Sequence, residues 1–237
     1  MNTEQKRALV SRFFTGTGAS YDRMVRRLTF GIDGRWKARI LRRLASSLPR
    51  VDRALDLACG TGILTFLVAA RYPHARVLGV DVTEEYLAIA REKAGRLGLR
   101  HVEFLHRRAE DVSLPESFDC ITSSYLAKYA DLAPLVEHAV GMLRPGGLLL
   151  FHDFTYPANP ILAVGWEAYF TLLRRVGTRW APHWREIFYG LPEVIRTTRW
   201  VPDLMQEMAR QGLTEIRVEY LTFGASAIVT GAKPITT

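Results

Sequence analysis

The residues with the clearest chemical purpose are Leu55-Asp56-Leu57-Ala58-Cys59-Gly60-Thr61-Gly62 and, nineteen residues beyond Gly62, Asp81. Glycines at 60 and 62 let the backbone turn tightly and approach a ligand closely, and a helix starting just after them presents unpaired N–H groups at the same place. A carboxylate ending the next strand can accept the protons of both ribose hydroxyls of an adenosine group. A dinucleotide loop shares the G-x-G start, but its third glycine would fall on Thr65, where pyrophosphate and helix packing need a residue without a side chain. The NAD fingerprint therefore fails, while glycine loop and acid together outweigh either alone.

Such a loop works only if a strand delivers it and a helix carries it away. From residue 51, short runs rich in Val, Leu, Ile and Phe alternate with longer stretches of helical period, the pattern of βα units around a parallel sheet. Strands are expected at Arg53–Leu57, Arg76–Val80, His101–Leu105, Phe118–Thr122 and Leu148–Asp153, and helices at Ile63–Arg71, Thr83–Arg96 and Leu132–Leu143. Thr83 at the cap, with Glu84 and Glu85 in the first turn, suits the helix dipole. Leu143-Arg144-Pro145-Gly146-Gly147 ends a helix and turns the chain into a strand. After Asp153 the rhythm breaks. Residues 156–200 hold four of the five tryptophans and read as an insertion of short helices, followed by a helix at Pro202–Gln211. Two last strands, near Thr214–Tyr220 and Phe223–Thr230, lie too close for a crossover helix and should form an antiparallel hairpin. The expected fold class is α/β: a doubly wound, Rossmann-like, seven-stranded, mostly parallel sheet with an antiparallel C-terminal hairpin.

Composition sets the remaining bounds. The chain has 237 residues, 48% of them apolar, enough for one soluble domain to bury a core without disulfides or metal. The longest nearly apolar stretch, Ile161 to Leu173, is interrupted by Glu167 and falls short of the ~20 residues a spanning helix needs. The N-terminus lacks the apolar core and cleavage site of a secretory signal. Cys59 and Cys120 lie outside any CxxC or His-rich setting, so a reducing cytoplasm and no metal site are expected. The net charge is +8, but residues 1–50 carry +9 and residues 51–237 carry −1. That basic segment reads as a solvated helical face, a nucleic-acid surface or a patch that meets anionic lipid headgroups.

Asp-x-Ala-Cys-Gly-Thr-Gly, with an acid ending the second strand, resembles the class I S-adenosylmethionine-dependent methyltransferases. The resemblance implies S-adenosylmethionine as cofactor, its methionine part near Asp56, Gly60, Thr61 and Gly62 and its ribose on Asp81. After the third strand that family commonly has an Asp or Asn followed by Ala to read adenine; here the pair is Arg108-Ala109. Ala109 keeps a backbone contact, whereas Arg108 reads either as an adenine neighbour or as a solvent-facing side chain. Ser124 and Tyr21 complete the expected cofactor set, with Tyr21 and Asp22 closing over it. Tyr21-Asp22, Thr29-Phe30-Gly31-Ile32, Arg35-Trp36-Lys37, Asp153-Phe154-Thr155 and Leu221-Thr222-x-Gly224 further resemble the ubiquinone/menaquinone biosynthesis C-methyltransferases of the UbiE/MenG type. That likeness implies methyl transfer to a ring carbon of a prenylated quinol.

The chain also departs from those relatives. Where they have a Gly-Leu-Arg-Asn run after the fourth strand, it has Leu126-Ala127-Lys128-Tyr129, and Val25 replaces an Asn. The expected catalytic set is Asp153 as base or orienter, with Lys128 and Tyr129 as phenolate partners. Strand alternation sends His152 and Asp153 to opposite faces, so His152 is read as a packed side chain. The expected division is one domain over residues 1–237: a basic helical segment at 1–50, a cofactor-binding core at 51–153, a helical substrate lid at 156–200, and a C-terminal helix and hairpin at 201–237. The expected partners are a small-molecule or prenylated quinol substrate, peripheral contact of the basic N-terminal segment with a membrane's inner face, and no nucleic acid; the sequence is compatible with a homo-oligomer. Two other functions stay open: methylation of another small aromatic or natural-product acceptor, motivated by Leu126 to Tyr129, and non-catalytic cofactor binding, motivated by Arg108.

Overall fold

The computed structural model describes residues 3–115 and 117–235; the outermost residues of the N-terminal segment and of the C-terminal stretch, and Glu116, lie outside it. Helices α1 (Thr3–Phe14), α2 (Tyr21–Leu28) and α3 (Ile32–Ser47) precede the sheet. Then follow β1 (Arg53–Leu57), α4 (Ile63–Arg71), β2 (Arg76–Asp81), α5 (Glu84–Arg96), β3 (Val102–His106), β4 (Phe118–Ser124), α6 (Leu132–Met142) and β5 (Leu143–Phe154). The sheet order is β3-β2-β1-β4-β5-β7-β6, where β6 is Thr214–Leu221 and β7 is Ser226–Ala232. The first five strands run parallel and β7 runs antiparallel between β5 and β6. The chain moves outward from β1 to β3 and then returns to lay β4 on the other side of β1, which creates the switch point of the sheet.

Strand alternation divides the core in two. Leu55, Leu57, Ile121 and Phe151 face α6 and α10 (Trp200–Arg210), where Leu135, Trp200, Leu204 and Met208 are buried with them. Ala54, Val77, Cys120 and Leu150 face the opposite way, onto Ile40 and Leu44 of α3 and Val68 of α4. Each fully buried Leu, Ile or Phe contributes roughly 1.5–3 kcal/mol. A third cluster lies off the sheet. There Phe13 and Met24 meet Phe170, Leu173, Trp184 and Phe188, tying the N-terminal helices to the insertion. Gly190 lies directly against the Phe13 ring, and a Cβ at 190 would overlap it.

Several boundaries differ from expectation. The insertion is built from two thirteen-residue helices rather than short ones: α7 (Pro160–Leu172), capped by the Asn159 side chain, and α9 (Arg185–Thr197). They are joined by a π-turn at Leu173–Gly177 and the short helix α8 (Thr178–Trp180). β5 begins at Leu143, so Pro145, Gly146 and Gly147 lie within a strand whose register with β4 shifts between Phe118 and Cys120. A bulge accommodates them there. Phe223 lies outside β7 because Thr222 and Phe223 both take positive φ in the connecting turn. Thr83 caps α5 without a side-chain hydrogen bond. Glu85 instead accepts the N–H groups of Gly16 and Gly18 at 3.0 Å, pinning the loop after α1 to α5.

Candidate functional site

Open α/β sheets leave a crevice at the carboxyl ends of their strands where the order reverses. Here that crevice is a cavity of about 630 Å³ lined by Ala58 and Gly60 after β1, Asp81 ending β2, and Ser124 ending β4. Gly60 and Gly62 have φ of 56° and 87°. A Cβ on Gly62 would stand 2.5 Å from the Phe66 ring, so only glycine fits. Asp81 is oriented from behind: Gly60 N–H donates to its Oδ2 and Thr83 N–H to its Oδ1, each at 2.8 Å. Each oxygen keeps a lone pair for a ligand hydroxyl. Burial pushes the Asp81 pKa up, and those backbone donors oppose the shift. Cavity size and the bidentate carboxylate fit a nucleoside-bearing ligand of drug-like volume.

Gly60, Asp81, Arg108, Ala109, Ser124 and Tyr21 thus share one cavity. Asp56, Thr61 and Gly62 do not line it. Asp56 points into the sheet, accepting from Thr65 Oγ1 at 2.7 Å and Thr122 Oγ1 at 2.9 Å, with its pKa raised by burial to about 6. Thr61 donates to Asp22 Oδ1 at 2.5 Å, while Lys93 Nζ holds Asp22 Oδ2 and the Thr61 carbonyl. The Asp56 and Thr61 side chains thus hold the glycine loop from behind, with Gly60 of that loop facing the cavity. Arg108 lines the cavity with its charge taken up by Glu110 at 3.1 Å and Asp111 at 3.7 Å.

A second cavity, about 220 Å³ and almost wholly apolar in its lining, lies between α2, α3 and the insertion, among Trp36, Phe154, Trp166, Tyr169 and Phe170. Phe14, Tyr21, Tyr125 and Tyr129 line both cavities. A polar chamber and an apolar one therefore meet across a single aromatic wall.

Tyr125 is the most constrained residue of that wall. It adopts φ 71°, an outlier for a bulky residue of the kind found at functional sites. Its N–H donates to the His152 carbonyl at 2.8 Å and its ring stacks on Phe154 at 4.7 Å. Its hydroxyl donates to Asp33 Oδ1 at 2.5 Å, and Lys37 Nζ sits 3.1 Å from the same oxygen and 4.3 Å over the Tyr125 ring. Burial, then the Asp33 charge, raises the Tyr125 pKa, so it stays a phenol. Lys37 begins a directional chain: Nζ donates to Ser124 Oγ at 2.5 Å, Ser124 to His152 Nδ1, His152 Nε2 to Ser226 Oγ, and Ser226 to the Asp153 carbonyl. This chain assigns His152 the Nε2–H tautomer. Burial and the two nearby lysines push its pKa well down, so it is neutral and fully committed.

The three expected catalytic residues divide. Tyr129 lines both cavities and Lys128 lines the apolar one. Asp153 lines neither: its Oδ1 accepts Lys128 Nζ at 2.6 Å and Phe154 N–H at 2.7 Å, and its Oδ2 accepts Lys128 N–H at 3.2 Å. With no exposed surface it holds the lysine instead of acting as a base. Lys128 spends two donors, on Asp153 and the Tyr125 carbonyl, and the third has no acceptor among the described residues. Burial lowers its pKa, opposed by Asp153. Sequence reasoning missed Asp33, Lys37 and Tyr125. A usable signal existed, since positions 33 and 37 fall on the same stripe of α3 as Trp36, Ile40 and Leu44.

The family described as ubiE/COQ5 methyltransferases matches residues 1–233. A demethylmenaquinone methyltransferase of Thermus thermophilus is 34% identical over 224 residues, covering 93% of this chain and 100% of that one. The ubiquinone/menaquinone biosynthesis C-methyltransferase UbiE of an Enterobacter strain is 32% identical, covering 97% and 92%. Among solved structures, the geranyl diphosphate C-methyltransferase of Streptomyces coelicolor superposes with a TM-score of 0.60 at 16% identity, over 86% of this chain and 80% of that one. The N-methyltransferase NodS of Bradyrhizobium japonicum gives 0.57 at 19%, over 85% and 96%; both likenesses are of fold.

Proposed function

The chain belongs to the ubiE/COQ5 methyltransferase family, and from that premise we propose that it methylates a ring carbon of a prenylated quinol, with S-adenosylmethionine as donor. The observation that carries this reading is the aromatic wall shared by a polar, nucleoside-sized chamber and an apolar one. Asp81 would hold the ribose hydroxyls, Ala58 and Gly60 the amino-acid end, and Ala109 the adenine edge. The apolar chamber takes the ring. At about 220 Å³ it leaves the prenyl tail to pass out beside Phe30, a lining residue that is 77% exposed.

S-adenosylmethionine, when bound, supplies an electrophilic methyl on a sulfonium. The residues of the wall prepare the acceptor. Tyr125 takes the acceptor's hydroxyl proton as it passes its own to Asp33 Oδ1, and the free Lys128 donor with the nearby Lys37 charge stabilises the oxyanion that results. Electron density rises on the neighbouring ring carbon. That carbon would then take the methyl, the C–S pair staying on sulfur, and the ring hydrogen would pass as a proton to the acceptor's oxygen, leaving the released proton on Asp33. Phe14, Tyr21 and Tyr129 keep water from the junction, so most of the acceleration comes from positioning.

Purified protein incubated with methyl-labelled S-adenosylmethionine and demethylmenaquinol or a methoxy-polyprenyl benzoquinol should place label in the lipid extract. Label on small polar acceptors alone would overturn the quinol assignment.

A further inference from the structure

The outer face of α7 is as apolar as its inner one. Helix α7 has one charged residue, Glu167, and Arg196 pairs with it at 2.7 Å. Inward, α7 gives Trp166, Tyr169 and Phe170 to the apolar cavity. Outward, Ile161 is 81% exposed, Val164 70% and Leu172 58%. A helix of a globular domain normally turns a polar face to water, and one apolar on both faces meets a second apolar phase.

Two aromatic residues on strained turns extend this face. Phe30 (φ 51°) is 77% exposed and Phe223 (φ 56°) is 83% exposed, although bulky residues rarely adopt positive φ. Phe30 lines the apolar cavity and its ring lies 5.5 Å from that of Tyr169 on α7. Phe223 follows Thr222, which also lines the cavity and accepts the Trp36 indole N–H at 2.8 Å. A wall residue that is also exposed marks a mouth, so Phe30 and Thr222 stand at the entrance of the apolar chamber, with the exposed Phe223 next to Thr222 in the chain. Arg26, Arg27 and Arg35 are exposed on either side of Phe30 in the chain, and Arg175 and Arg179 follow α7; none makes an ion pair among the described residues.

We propose that this face docks on an anionic lipid bilayer. Phe30, Phe223 and the outer side chains of α7 enter the boundary between headgroups and acyl chains, and the arginines meet lipid phosphates. A second copy of the chain is disfavoured as the occupant, because symmetric pairing would set unpaired arginines against arginines. The docking stands on exposure and charge; only the identity of what passes through the mouth rests on the quinol reading above.

The test is sedimentation of the full chain with vesicles of phosphatidylcholine alone or with about one-third phosphatidylglycerol. The expected result is partition onto the anionic vesicles that high salt weakens, with a loss of roughly tenfold or more in both Ile161→Asp/Val164→Asp and Arg26→Glu/Arg27→Glu. Both variants should bind S-adenosylmethionine and methylate a tail-truncated acceptor in detergent like the parent, which separates lost docking from lost folding. The proposal is overturned if the parent ignores anionic vesicles, if both variants bind as the parent does, or if they change only the oligomeric state. Vesicle binding without lipid methylation would leave the docking standing and overturn the quinol reading; methylation of the truncated acceptor without vesicle binding would do the reverse.

Discussion

Removing one partner of the Lys128–Asp153 pair should cost more than removing both. Lys128→Met leaves a carboxylate with no exposed surface and no counter-ion, a loss of about 3–5 kcal/mol, and adding Asp153→Asn recovers part of it. Urea unfolding of the two variants checks this. Tyr125→Phe removes the proton path to Asp33 and keeps the ring stack, so kcat should fall roughly 10²–10⁴-fold with KM for the donor little changed. Asp56 gives a pH signature. Its folded pKa of about 6 lies above the ordinary 3.8, so between those values the folded chain holds a proton that the unfolded chain has released. Stability therefore falls as pH rises from about 4 to about 6, by roughly 2–3 kcal/mol, and Asp56→Asn should flatten that slope in unfolding midpoints. At this scale the glycines and Asp81 were legible because their chemistry is local. Asp153, expected as base or orienter, orients Lys128; alternation tells which face a residue takes, not whether a lysine already fills its hydrogen bonds.

Among the elements, those that repeat a local rule were legible and those set by tertiary contact were not. The βα units stand within one or two residues of expectation because apolar runs and turn residues mark them directly. The start of β5 was hidden, since Pro145-Gly146-Gly147 reads as a break and belongs to the strand only because β5 bulges there against β4. Of the two long helices of the insertion, α7 was hidden because it lacks the polar stripe that would show helical period, and α9 because Gly190 and Pro192 read as breaks within it. Glu85 was read as a partner of the α5 dipole and turns out to fasten the loop after α1. Glu85→Ala should free that loop, raise KM for the donor several-fold and speed protease cutting within residues 14–20, as gel and steady-state assays would show.

For the whole molecule, the carboxyl ends of the sheet strands and α1 line the chamber proposed for the donor, whereas α2, α3 and the insertion form most of the chamber proposed for the acceptor. Donor binding should therefore stabilise the fold as a unit: S-adenosylmethionine at a hundred times its Kd is worth about 2.7 kcal/mol and should raise Tm by roughly 5–10 °C in a thermal scan. The same rise in Asp81→Ala would sink the assignment of the ribose site. The chambers share a wall but not an entrance: the donor chamber reaches the surface beside the exposed Arg7, Val82 and His106, the acceptor chamber beside Phe30. Neither reactant has to pass the other's seat. Bisubstrate kinetics should accordingly show random order, the spent donor competing only with fresh donor, so that turnover need not wait for the bulky product to leave before the small one is exchanged.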